Sequence, residues 1–147
     1  MIDWISEYAQ AWGRCTRWMR AKTNEGYPGM DVSARMADGS LGGQKGALKQ
    51  HFGEVRTGYA LAVARVLLTP PLMEFDTRMC FDVHYTDARP QRFKIKEART
   101  LIRREISTAE YFRRLDHSHY HLAARIVPVG EKPLGVNCVS QKQSLGY

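Results

Sequence analysis

Near the end of the chain, His117-Ser118-His119-Tyr120-His121 places three imidazoles at alternate positions. On a helix His117 and His121 share a face at i, i+4, a spacing that two metal ligands can use. A catalytic metal needs a third protein ligand and a base or an open coordination position. That ligand has to come from elsewhere, His84 or Cys80 for example, and no acidic residue lies inside the cluster to act as a base. A metal-dependent nuclease built on His117, His119 and His121 is the weakest of the readings considered, and neither a metal nor another cofactor is expected. Nucleophilic catalysis needs a nucleophile, a base and an orienting group. Three scattered cysteines (Cys15, Cys80 and Cys138) and five histidines select no such pairing. Gly42-Gly43-Gln44-Lys45-Gly46 lacks both the spacing of a phosphate-binding loop and the apolar strand that precedes one. No catalytic residue is expected, and the chain does not read as an enzyme.

The other chemistry in the chain is charge. The net charge is +7, and its position matters more than its size. Residues 1–88 hold ten Lys/Arg and ten Asp/Glu, whereas residues 89–125 hold ten Lys/Arg and four Asp/Glu. A basic unit within an otherwise neutral chain implies a polyanionic partner touched by that unit.

Those cations must be positioned by the stretch 94–125, which reads as two helices joined by a short turn. The second helix opens at Ser107-Thr108-Ala109-Glu110, a capping box in which the Ser107 hydroxyl accepts from the N–H three residues on and Glu110 reaches back. Ile106 is placed to form a hydrophobic staple with Tyr111. Tyr111, Leu115, Leu122 and Ile126 keep to one face, and Thr108, Ala109, Arg113 and Arg114 occupy the adjoining one. The first helix is expected over 92–104, with Ile95, Ala98 and Leu101 inward beside Ile102, and Lys94, Lys96, Arg99 and Arg103 outward. Together these features describe a helix-turn-helix whose second helix packs on its own domain and presents side chains to a DNA groove. Many such turns carry glycine about two residues before the second helix. Here Glu105 stands there, with Arg104 in place of an apolar residue, so the turn is one or two residues longer than usual or differently shaped. The candidate DNA-binding residues are Lys94, Lys96, Arg99 and Arg103 on phosphates, and Ser107, Thr108, Ala109, Phe112, Arg113 and Arg114 on the second helix.

The rest of the chain supplies a scaffold. A helix over 3–21 has Ile5, Tyr8, Trp12, Cys15 and Met19 as its inward stripe. Trp4, Trp12 and Trp18 do not all share that stripe, so one or two rings lie at a border against another segment or a partner. Residues 23–53 carry seven glycines and Pro28 and read as a long glycine-rich loop, with a turn at 26–29 and a short helix near 31–36 that Asp31 or Ser33 could cap. A helix over 54–68 should bury Val55, Tyr59, Ala62, Val63, Val66 and Leu67, and Thr69-Pro70-Pro71 ends it. Pro71 fits the first turn of a further helix over 72–85, with Leu72, Phe75, Met79 and Val83 inward. Pro128, Gly130, Pro133 and Gly135 stop the pattern, leaving an irregular C-terminal tail.

The expected class is therefore all-α, a small helical domain. Residues 1–88 form an N-terminal helical part, 89–126 the basic helix-turn-helix and 127–147 the tail. No run of apolar residues is long enough to cross a membrane, and the acidic N-terminus is no secretory signal. Odd, widely spaced cysteines fit a reducing compartment, so the expected location is the cytoplasm.

The order of elements carries a resemblance. Ile106, Ser107, Tyr111, Arg113 and Leu115 match a pattern I-S-x-x-x-Y-x-R-x-L. Trp12-Gly13-Arg14 followed by Gly26-Tyr27-Pro28 supplies a matching opening. In these respects the chain resembles the Q-like late-gene antiterminators of temperate phages, whose C-terminal part is similar to the region-four helix-turn-helix of bacterial sigma factors. The resemblance implies a transcription antitermination factor that binds double-stranded DNA near a phage late promoter, engages bacterial RNA polymerase and promotes terminator read-through in the host cytoplasm. It brings sigma factor and nascent RNA into the set of partners to test. A conventional helix-turn-helix activator or repressor is the alternative, which a symmetric pair of half-sites would favour.

Overall fold

The computed structural model describes residues 1–22 and 44–126. All regular structure among these residues is helical: α1 (Asp3–Lys22), α2 (Gln44–Phe52), α3 (Glu54–Leu68), α4 (Phe75–Thr86), α5 (Gln91–Ile102) and α6 (Thr108–Ala123). The expected turn at 26–29, the short helix near 31–36, Cys138 and the tail over 127–147 lie outside the described residues.

The stripe in α1 behaves as its spacing requires, with Ile5, Tyr8, Trp12, Cys15 and Met19 all buried. Trp18 is the border ring. It stacks on His51 at 5.6 Å and meets Phe52 edge-on at 6.2 Å. This contact explains a departure from expectation. The glycine-rich loop was expected to reach residue 53, yet Gln44–Phe52 is helical. Only Gly46 interrupts a run of good helix formers in this segment, and the nine-residue helix is held by packing: Leu48 is fully buried in the core and His51 and Phe52 cover Trp18. Gly53, at φ 89, then lets α2 pass directly into α3, a backbone region that side-chain-bearing residues avoid.

α3 has the expected bounds but a different inward face. Thr57, Ala60, Leu61, Val63, Ala64, Val66 and Leu67 are buried, whereas Val55 is 60% exposed and Tyr59 and Ala62 are half-buried. The segment is apolar nearly all round, so periodicity alone does not choose the face. Contact with α1 and α2 does. α4 begins at Phe75, after a cis Pro70–Pro71 bond and with Glu74 as its N-cap. Leu72 and Phe75, expected inside, are 61% and 59% exposed, and Met79 is half-buried. The inward residues are Thr77, Cys80, Phe81, Val83 and Tyr85. α4 is packed against α1, α5 and α6 at once, so it buries a broad arc instead of one stripe.

Two apolar clusters share α4 and α6. One gathers α1, α2 and α3 around Trp12 and includes Phe81 and Tyr85 of α4 and Leu122 of α6. The other joins Cys80 of α4, Ile95 and Ala98 of α5, Ile106, and Tyr111 and Leu115 of α6. α5 is shorter than expected. Leu101 is 40% exposed, so Ile95 and Ala98 make the inward contact with Ile102 partly buried beside them. α1 and α4 approach backbone to backbone at Gly13, where an added Cβ would sit 2.0 Å from the Tyr85 carbonyl oxygen. No helix among the described residues is long and apolar enough to cross a membrane.

Candidate functional site

The turn between α5 and α6 is defined by its hydrogen bonds. Arg103 caps α5 in the left-handed conformation (φ 67, ψ 34), and its N–H donates to the Arg99 carbonyl at 2.8 Å. The glycine-like position is thus Arg103 and not Glu105, and five residues separate the helices, one or two more than a common turn of this kind. The Arg99 Nε donates to the Ile106 carbonyl at 3.0 Å, which ties the exit of the turn to α5. Ser107 is the N-cap of α6 and its hydroxyl accepts from the Glu110 N–H at 3.0 Å. Ile106 and Tyr111 are both buried in the second cluster, as a staple requires.

The other half of the expected capping box is replaced by an ion network. The Glu110 carboxylate turns to Arg104, with Nη2 to Oε2 at 2.7 Å. The same Arg104 Nη2 donates to Asp76 on α4 at 2.6 Å. Arg114 joins from α6, bonding Glu74 and lying 3.5 Å from Glu110 and 3.8 Å from Asp76. Arg104 first of all holds the Glu110 carboxyl below the usual carboxylate range. These residues lock the turn and the start of α6 onto the N-terminal end of α4. The position that an apolar residue or glycine serves elsewhere is here served by charge.

The candidate DNA-binding residues accordingly separate into two groups. Lys96, Arg103, Ser107, Thr108, Ala109 and Arg113 are exposed. Arg113 is 59% exposed, with Glu110 no closer than 4.0 Å. Lys94, Arg99, Phe112 and Arg114 face inward at least in part, which corrects the outward placement of Lys94 and Arg99. Lys94 donates to the His84 carbonyl at 2.9 Å, and burial, opposed by Asp87 and aided by Arg17, lowers its pKa. Phe112 meets Tyr111 edge-on at 5.3 Å. The Arg114 side chain is 16% exposed within its network.

The histidine cluster does not converge. His117 is exposed, His121 is half-buried and His119 is fully buried. His119 Nδ1 accepts from the Ile2 N–H at 3.2 Å, so Nε2 carries the ring proton and donates to the Tyr85 hydroxyl at 2.6 Å. His84 Nδ1 lies 3.1 Å from the Tyr111 hydroxyl, and burial first, then the Lys94 charge and the nearby His119 when protonated, pushes its pKa down to about 4. No group of three or more His, Cys, Asp or Glu among the described residues is arranged to hold a metal ion. Burial pushes the Cys15 thiol up to about 12 and, against the nearby Arg114 charge, the Cys80 thiol up to about 11, so neither is a thiolate at neutral pH.

Sequence reasoning missed the Arg104 network and the buried role of His119. The second was signalled: the apolar face of α6 runs Tyr111, Leu115, Leu122, Ile126, and His119 fills the gap in that series. Compared with protein-family models, curated proteins and solved structures, the chain matches none.

Proposed function

We propose that this chain binds double-stranded DNA through a helix-turn-helix made of α5, the 103–107 turn and α6, and that it acts as a transcription antitermination factor on bacterial RNA polymerase near a phage late promoter. The observation that carries the DNA-binding part is the start of α6, its first two turns. It exposes Thr108, Ala109 and Arg113, while Tyr111, Leu115 and the Arg104–Glu110 network fix the helix behind them. Small side chains let a helix approach base edges, and arginine offers paired donors to guanine. Lys96 and Arg103 are exposed on the preceding element and supply phosphate contacts. Engagement of polymerase, and of sigma factor or nascent RNA, rests on the resemblance of the Ile106–Leu115 pattern and of Trp12-Gly13-Arg14.

The test has two arms. DNA sites are first selected from a random duplex pool with the full chain. Transcription by purified polymerase is then measured on a template carrying the phage promoter, the selected site and a terminator. Read-through that depends on the site supports the antiterminator. A change in initiation with termination untouched assigns the chain to the conventional activators or repressors. Failure to select any duplex removes the reading altogether.

A further inference from the structure

α1, the end of α4 and the start of α5 enclose a cleft of about 230 Å³, lined by Gln10, Arg14, Arg17, His84, Asp87 and Lys94 among others. Gln10, Arg14 and Arg17 follow one another along one face of α1 at spacings of four and three. Arg17 donates to the Tyr85 carbonyl at 3.1 Å and Lys94 to the His84 carbonyl at 2.9 Å. Two cations therefore converge on consecutive carbonyls at the C-terminal end of α4, where the helix dipole favours positive charge. Each keeps further N–H groups for another acceptor. Arg14 is exposed and makes no hydrogen bond or ion pair among the described residues, so no intramolecular role accounts for its place in the lining. The one acidic residue in the cleft, Asp87, is neutralised from outside it: the Arg89 guanidinium grips both carboxylate oxygens at 2.7 to 3.1 Å. His84 is neutral at pH 7, as its pKa of about 4 requires. The cleft is thus left with three cations, an amide and no free anion.

Its position relative to α6 is set by α5. Arg103 and the turn lie at one end of α5 and the cleft at the other. Lys94 precedes Arg103 by nine residues, about 14 Å along the helix and comparable to a major groove of about 12 Å. A phosphate strand bordering a groove seated on the start of α6 would lie within that distance if the groove runs across α5.

We propose that this cleft is a phosphate seat, in which Arg14, Arg17, Lys94 and Gln10 hold one phosphate group, and that in the DNA complex the group is a backbone phosphodiester flanking the groove read by α6. The second part rests on the DNA-binding reading above, and the first does not. The seat extends the interface from the basic two-helix unit to α1, a helix in the charge-neutral part of the chain.

Arg14→Ala tests it, because Arg14 makes no hydrogen bond or ion pair among the described residues, and urea unfolding of the variant checks that its stability is kept. Arg20→Ala removes the same charge from an exposed position on α1 outside the cleft. Duplex affinity of the full chain is measured against salt for both variants. Side-chain Nε–H resonances of Arg14 and Arg17 are followed during titration with inorganic phosphate. The expected result is a several-fold loss on specific and random duplexes alike for Arg14→Ala, a salt slope shallower by about 0.9, a change under twofold for Arg20→Ala, and phosphate-induced shifts that Arg14→Ala abolishes. Equal losses for the two variants would show a net-charge effect and overturn the seat. Phosphate shifts with unchanged duplex affinity would keep the seat but assign it to a free phosphate-bearing ligand. The absence of both overturns the proposal while leaving the α6 reading to its own test.

Discussion

The Arg104 guanidinium and the Glu110 carboxylate meet at 2.7 Å across the α5–α6 turn, and Arg104 reaches Asp76 on α4 at 2.6 Å with the same nitrogen. One side chain therefore ties three elements together at the point where α6 begins. Arg104→Ala is expected to lower the melting temperature and to make it less sensitive to salt, since the lost interactions are electrostatic and partly exposed. Arg104→Lys restores only part of the loss, because an ammonium does not hold both Glu110 oxygens through a planar fork while reaching Asp76. Thermal unfolding at low and high salt measures both. A variant that melts as the wild type at low salt would remove the network from the account of the turn.

Arg103 occupies a left-handed conformation that glycine takes without strain. Arg103→Gly should raise stability by roughly 0.5–1 kcal/mol in urea unfolding, the backbone relief being offset in part by the freer unfolded chain. The same variant should bind every duplex more weakly, because it removes an exposed cation. Stability and affinity moving in opposite directions would show that strain is kept at this position for its charge.

Gly13→Ala sets two effects against each other. In an open helix the change stabilises by about 1 kcal/mol. Here the new methyl group would meet the Tyr85 carbonyl at 2.0 Å, and the neighbour is backbone, which cannot rotate away. The close approach wins, and a destabilisation of about 1–3 kcal/mol or more is expected from urea midpoints, with the loss falling on the α1–α4 contact.

How far the sequence specified this arrangement depends on what each element had to satisfy. α1 and α6 were legible because each packs chiefly along one stripe, and Ser107 with Ile106 marked the start of α6. α3 was legible in extent, and α4 except for its start, three residues later than expected and without Pro71 in its first turn, but neither in face, since each is contacted on more than one side and no single period describes the buried arc. α2 was hidden by the glycine count over 23–53, although only Gly46 interrupts the helix formers of Gln44–Phe52, and its docking against Trp18 and into the core through Leu48 depends on residues remote in sequence. For the candidate site, residue type identified the basic unit but not which cations are free. Arg113 and Arg114 are adjacent and chemically identical. Arg114 lies on the inward side by helix phase, three residues after Tyr111 and four before Ser118, and Glu74 and Asp76 at the start of α4 meet it there.

Buried His119 and half-buried His84 make stability depend on pH. His84 is held neutral by burial first, with Lys94 and His119 adding to it, and burial likewise lowers the pKa of His119. An unfolded histidine takes up its proton near pH 6.5, whereas folded His84 does so only near about 4. Protons within that window favour the unfolded chain. Stability should be full above pH 6.5 and fall as the pH drops toward 4. Urea midpoints between pH 7 and pH 4 measure the slope. His84→Gln should flatten it and leave the part from His119 and His121, whose pKa values burial also lowers, and an unchanged slope would exclude His84 as its source.

Arg113 and Arg114 give the sharpest separation of fold from recognition. Arg114→Ala leaves Glu74, Asp76 and Glu110 with one cation fewer, and should cost roughly 2–3 kcal/mol of stability, between the values for an exposed pair and a buried one. Arg113→Ala touches only a 4.0 Å approach to Glu110 and should leave stability within about 0.5 kcal/mol. On DNA the order reverses in kind. Arg113→Ala should lose about 1–3 kcal/mol at the selected site and little on random duplex, relaxing the preference at one base pair. Lys96→Ala should weaken both duplexes equally and reduce the salt slope by about one phosphate's worth. If Arg113→Ala instead weakens both duplexes alike, it touches the backbone, and base readout falls to Thr108, Ala109 and Phe112. If Arg114→Ala keeps full stability and loses the selected site alone, the inward network is not what positions α6, and Arg114 belongs among the residues that face the bases.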